Sequence, residues 1–245
     1  MYNMGKFLRY LNFNRIKSIS ILFLILYSFG IRAQLMTSDN STNRSVNYFI
    51  DRNNGYSLGN KGVILKTTDG GATWTNLKIN ITSNFYSVIF VSPDIGFITG
   101  DSGIVLKTYN AGQSWNVLHT GVMLSLHSIY FLDSLNGFVA GEYGMIMKTN
   151  DGGVKWKVLD SGTTKDIDGI YFIDDKTGFA VGEAGRILKT TDGGKKWLRI
   201  ITSSMQKMTS VYFSNEQEGI ITSETGNMYR TSDGGTHWVI VNKTF

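Results

Sequence analysis

The chain reads as short apolar runs broken by tight-turn residues, and no stretch holds the 3.6-residue period of an amphipathic helix. One unit shows the pattern: apolar runs at 170–173, 178–182, 186–190 and 197–201 alternate with turn-rich segments at 174–177, 182–185 and 192–194. Glycine, aspartate and asparagine supply the backbone conformations that tight turns require. The pattern predicts four short strands, each antiparallel to the next.

The unit recurs. Trp74, Trp115, Trp156, Trp197 and Trp238 are all the tryptophans and stand 41 residues apart. The same step links Gly55, Gly96, Gly137, Gly178 and Gly219, and also Phe49, Phe90, Phe131, Phe172 and Phe213. Four antiparallel strands repeated without a break in register are the sequence form of a β-propeller blade. The expected fold is all-β, a propeller of five four-stranded blades over 45–245, closing into one monomeric ring. Residues 34–44 are a short leader, and 34–43 are expected to add an edge strand that locks the last blade to the first.

The turn between the third and fourth strands carries the most specific motif, Thr67-Thr68-Asp69-Gly70-Gly71-Ala72-Thr73-Trp74 in the first copy. It resembles the Asp-box, or bacterial neuraminidase repeat. Asp69, Asp151, Asp192 and Asp233 match the motif aspartate, and Asn110 stands at that place in the second copy. An Asp side chain accepting backbone N–H bonds folds such a turn, and the tryptophan is expected to bury its ring between blades. This predicts a structural role for all five motifs. One carboxylate followed by glycines offers too few oxygens for calcium, so neither metal nor cofactor is expected.

The wider unit, with Tyr-Phe-x-Asp, Gly-Phe-x-x-Gly and Gly-x-Ile-Leu-Lys-Thr-Thr-Asp-Gly-Gly-x-x-Trp, is similar to the photosystem II stability and assembly factor-like family of propellers. The resemblance implies a non-catalytic protein-binding or assembly scaffold, a role the family plays for a membrane complex. The alternatives are a lectin-like carbohydrate binder and a sialidase-like glycoside hydrolase. The hydrolase would need three arginines gripping a substrate carboxylate, but at most Arg44 and Arg186 approach the mouth opposite the Asp-boxes.

Composition adds an address. Lys6, Arg9, Arg15 and Lys17 precede the apolar run 19–29, and Ala33 follows Ser28 and Gly30, which is the order of a cleaved export signal over residues 1–33. The run is shorter than the roughly 20 apolar residues of a spanning helix. A secreted or periplasmic protein with no membrane span after cleavage is expected. The formal charge of +5 resides in that segment, with Arg32 as its fifth cation, so the remaining chain is neutral and no nucleic-acid partner is expected. With no cysteine, the fold has no disulfide to lean on.

Binding is expected on the mouth opposite the Asp-boxes, where strand 2–3 turns and blade-joining segments differ between copies. The candidate ligand-binding residues are Phe85, Tyr86, Asp101, His127, Glu142, Tyr143, Glu183 and Glu224. The aromatic groups would contact a protein or peptide, or a glycan, and the carboxylates would favour a cationic or polyhydroxyl partner. Lys165, Asp168, Lys207 and Met208 also occupy the joining segments, where exposure and packing against the next blade are both open readings. The series Lys66, Lys107, Lys148, Lys189 and Arg230 reads as solvated or carboxylate-paired strand ends.

Overall fold

A computed structural model describes residues 34–37 and 45–241; the predicted export signal lies outside the described residues. Five antiparallel sheets follow one another along the chain. Blade one holds Ser45–Phe49, Gly55–Leu58, Ile64–Thr67 and Thr75–Asn76; blade two holds Phe85–Phe90, Gly96–Gly100, Ile104–Thr108 and Asn116–His119. Blade three holds Leu126–Phe131, Gly137–Gly141, Ile146–Thr149 and Lys157–Leu159; blade four holds Ile167–Phe172, Gly178–Gly182, Arg186–Thr190 and Leu198–Ile200. Blade five holds Met208–Phe213, Gly219–Ser223, Met228–Thr231 and Val239–Val241. The first strand of each blade packs on the first strand of the next, so these strands line the axis. The outer strands are short and exposed, as in Val239–Val241.

The second strands of blades one to four are buried along their length because consecutive side chains enter different cores, whereas in blade five Ile220 and Thr222 are only half-buried. In blade four, Ala180 packs toward blade three, whereas Phe179 and Val181 pack toward blade five. Aromatic rings stack across each of these junctions: Tyr56 on Phe90 at 4.4 Å, Phe97 on Phe131 at 3.7 Å, Phe138 on Phe172 at 3.8 Å and Phe179 on Phe213 at 4.4 Å. The recurring glycine that opens the second strand makes room for the phenylalanine of its own blade. A Cβ on Gly137 would lie 2.5 Å from the Phe131 ring.

The lysine series has a different role from the one expected. Lys66, Lys107, Lys148 and Lys189 each reach the next blade and donate from Nζ to the carbonyl oxygens of Ala111, Gly152, Gly193 and Gly234, at 2.9, 3.0, 3.2 and 2.7 Å. Each ammonium also lies over the aromatic ring opposite it in the ladder, as Lys107 does over Phe97 at 4.9 Å. The lysines are therefore directional ties between blades, made favourable by a charge-assisted hydrogen bond and a cation–π contact in a partly dry site. The series ends in blade five, where Arg230 makes the expected carboxylate pair, with Glu218 of its own blade.

One further expectation holds in outline and another is corrected. Trp115, Trp156, Trp197 and Trp238 each pack against the core shared with the preceding blade, and every tryptophan ring also meets the phenylalanine of its own blade edge-on, at 5.8 to 6.2 Å. Only Trp197 is buried, at 7% exposure, because the turn sets the ring on the rim of the core. The strand Gln34–Thr37 pairs with Ser45–Phe49 of blade one and not with blade five. Among the described residues, four hydrophobic clusters join consecutive blades, and no fifth cluster joins blade five to blade one.

Candidate functional site: the axial mouth

The Asp-box mouth is a closed hydrogen-bond system. In blade three, Thr149 Oγ1 accepts the N–H groups of Gly153 at 2.9 Å and Asp151 at 3.3 Å and donates to Asp151 Oδ1 at 2.9 Å; that oxygen also accepts the Lys155 N–H at 2.9 Å. Asn110 reproduces the arrangement with its amide oxygen, which accepts from Thr108 and from the Ser114 N–H. A neutral amide serves as well as a carboxylate, so the turn uses the oxygen and does not need the charge. Asp69, exposed to solvent, is lowered to a pKa of about 2, first by the Thr73 hydroxyl and then by backbone N–H groups and Thr67. Asp233 is lowered by the His237 N–H and imidazole.

The opposite mouth is built on an irregularity. The inner strands of blades two to five each break register at one place, between Phe85 and Ser87, Leu126 and Ser128, Ile167 and Gly169, and Met208 and Ser210. The extra residues are Tyr86, His127, Asp168 and Thr209. A β-bulge re-aims the side chain it carries, and here adjacent bulges bring residues of different blades together. The Tyr86 and His127 rings meet edge-on at 5.3 Å, His127 Nδ1 lies 3.4 Å from Asp168 Oδ1, and Lys207 Nζ lies 2.8 Å from the same oxygen. The 3.4 Å contact suits an ion pair when the imidazole is protonated, yet its geometry makes no hydrogen bond, and His127 Nδ1 and Asp168 Oδ2 are both buried without a hydrogen-bond partner.

This row divides the predicted residues. Tyr86, Asp101 and His127 come together, since the Tyr86 hydroxyl donates to Asp101 Oδ1. Phe85 lies in the core between blades one and two, at 1% exposure, and presents no surface to a partner. It faces away because the bulge at Tyr86 shifts the pleat by one residue. Glu142 is committed to its own blade, accepting the Ser125 N–H at 2.8 Å. Glu183 is half-buried and Glu224 exposed on the 2–3 turns of blades four and five. Tyr143 is 70% exposed and has φ +52°, a left-handed conformation uncommon for a bulky residue. Its N–H is held by Asp166 Oδ1 at 2.9 Å, from the segment leading into blade four. Asp168 and Lys207, read from the sequence only as joining-segment residues, are central to the row. The signal for Asp168 was its place one repeat after His127, which is one repeat after Tyr86.

Burial alone would raise the Asp168 carboxyl, but the close polar contacts and charges of His127 and Lys207 outweigh it, and the group ends below its ordinary value. The unfolded chain therefore takes up this proton more readily than the folded one. Stability from Asp168 is present above the ordinary aspartate value of about 3.9 and is lost as pH falls through the lower folded value. Thermal unfolding followed from pH 5 to pH 3 is expected to show a decline that is shallower in Asp168→Asn. An equal decline in both proteins would refute this assignment.

Among the described residues, no three His, Asp or Glu side chains converge as metal ligands, and no helix is long and apolar enough to cross a membrane. A search of curated protein sequences finds no match. Among solved structures, YCF48 bound to D1 peptide matches at 18% identity and TM-score 0.59, covering 85% of this chain and 83% of that one. YCF48 from Cyanidioschyzon merolae matches at 17% identity and TM-score 0.57, covering 85% and 88%. The Niastella koreensis GH74 enzyme matches at 18% identity and TM-score 0.64, covering 77% of this chain but 36% of the enzyme. At these identities the structures attest the fold. Membership rests on the match to the family described as photosynthesis system II assembly factor YCF48, which spans residues 33–125 and 110–244, and this chain belongs to that family.

Proposed function

We propose that this chain is a non-catalytic, assembly-factor-like propeller that binds an extended segment of a partner protein across the axial mouth. The observation that carries this reading is the polar row from Tyr86 to Lys207, to which blades two, three, four and the approach to blade five each contribute a different side chain. Selective recognition needs such chemical differences around a ring, whereas the Asp-box mouth repeats one closed pattern. The row also stands on paired inner strands, which hold a site more rigidly than free loops do. The family relative solved with a D1 peptide supports a peptide-like occupant. Residues 1–33 are read as an export signal, which would place the propeller in a secreted or periplasmic setting.

The test is site-specific photo-cross-linking in the native envelope. A benzoylphenylalanine at Tyr143, on the axial mouth, is expected to capture one partner protein through one mapped segment. The same group at Tyr109, also well exposed but on the Asp-box turn of blade two, is expected to capture none. Capture through Tyr109 with none through Tyr143 would assign the binding face to the other mouth.

A further inference from the structure

Asp168 is an incompletely used carboxylate. Its side chain is 12% exposed, and its Oδ1 takes both contacts, from Lys207 and from the neighbourhood of His127. Its Oδ2 is buried and has no donor among the described residues. A buried carboxylate oxygen left without a hydrogen bond is costly, so such an atom in a native fold calls for an explanation. Beside it stands the His127 ring, which in turn meets Tyr86 edge to face. The charged neighbour that already satisfies Oδ1 comes from a joining segment and is 30% exposed, more accessible than His127 or Asp168.

We infer that the axial row is a seat for a guanidinium group, an arginine side chain carried by the bound partner segment. The inference rests on the reading of the axial mouth as the binding face. A guanidinium is planar and presents paired donors, so it can serve a carboxylate oxygen while stacking on aromatic faces. An ammonium offers neither feature, and Lys207 already fills the role of a point charge. In the inferred complex Lys207 gives up its place at Oδ1 and the guanidinium serves both carboxylate oxygens, so Lys207 acts as an internal placeholder that competes with the ligand. Asp101, Glu142, Glu183 and Glu224 recur on the surrounding turns of blades two to five and supply further carboxylates on the approach. A bound cation such as calcium fits poorly, because the free oxygen is single and among the described residues no third carboxylate or imidazole converges on it.

The experiment uses the full mature chain with labelled histidine and the probe N-acetyl-Gly-Arg-Gly-amide, compared with the lysine and glutamine versions. The His127 imidazole resonances are expected to shift saturably with the arginine probe, less with lysine and not with glutamine. Lys207→Met removes the competitor and is expected to tighten arginine-probe binding by about two- to fivefold, the scale of a partly exposed ion pair. Asp168→Asn is expected to abolish the shift while the melting transition stays cooperative. If Asp168→Asn fails to fold, Lys207→Met alone decides the matter, since a purely structural Lys207–Asp168 tie predicts weaker or unchanged response on its removal. An equal response to the glutamine probe, or no response in wild type and Lys207→Met, overturns the inference. Partner capture through Tyr143 that persists in either case would leave the broader binding role standing.

Discussion

Phe138→Ala lowers the stability of this propeller by about 3 to 5 kcal/mol, the range for deleting a large side chain from a packed core. Phe138 is fully buried and touches several partners that only its ring can satisfy. It stacks on Phe172 of the next blade at 3.8 Å, and the Lys148 ammonium lies 5.0 Å from its centroid before reaching the Gly193 carbonyl. Removing the ring opens a cavity between blades three and four and strips the lysine of its cation–π surface. Denaturant unfolding of the variant checks the magnitude. Trp156→Ala is the internal comparison: its ring lies on the rim, so its cost should be the smaller. A larger loss from Trp156→Ala than from Phe138→Ala would contradict the burial order described above.

Gly185→Ala is expected to cost about 2 to 5 kcal/mol, combining left-handed backbone strain with overpacking against a neighbouring main chain. Gly185 has φ +65°, and a Cβ there would lie 1.8 Å from the Ser204 carbonyl oxygen. Main chain cannot rotate aside as a side-chain tip can. The Gly185 N–H also donates to the Gln206 carbonyl at 2.9 Å, so the substitution pushes on the segment that carries Lys207. The expected readout is a lowered melting temperature together with a changed His127 imidazole signal, because Lys207 and His127 share Asp168 Oδ1. A variant as stable as wild type would show that this turn tolerates displacement of the joining segment.

Much of this architecture was legible in the residues. A strict 41-residue step leaves no room for an insertion in any blade, so recurrence of Trp, Gly and Phe specified equal repeats, and the turn residues within each repeat specified four strands. The Asp-box chemistry was legible for a related reason: a turn closed by one side chain and its own backbone is local, and local hydrogen bonding follows from adjacent residue types. Blade four shows where legibility ended. Its inner strand begins at Ile167, earlier than the apolar run at 170–173 suggests, because Asp168 and Gly169 interrupt the pattern at the bulge.

By itself, then, the sequence determined the repeat, the blade, the Asp-box turns and the mouth on which the copies differ. Only the tertiary structure decided how blades engage. The tie from Lys148 to the Gly193 carbonyl spans 45 residues, and its target is a backbone oxygen that carries no residue identity. Likewise Phe85 and Tyr86 are neighbours of similar chemistry, yet one is core and the other lines the mouth, because a single extra residue in the strand reverses the pleat. Asp168 met His127 and Lys207 for the same reason: the bulges of adjacent blades face one axis, and that convergence arises only when the blades are packed side by side.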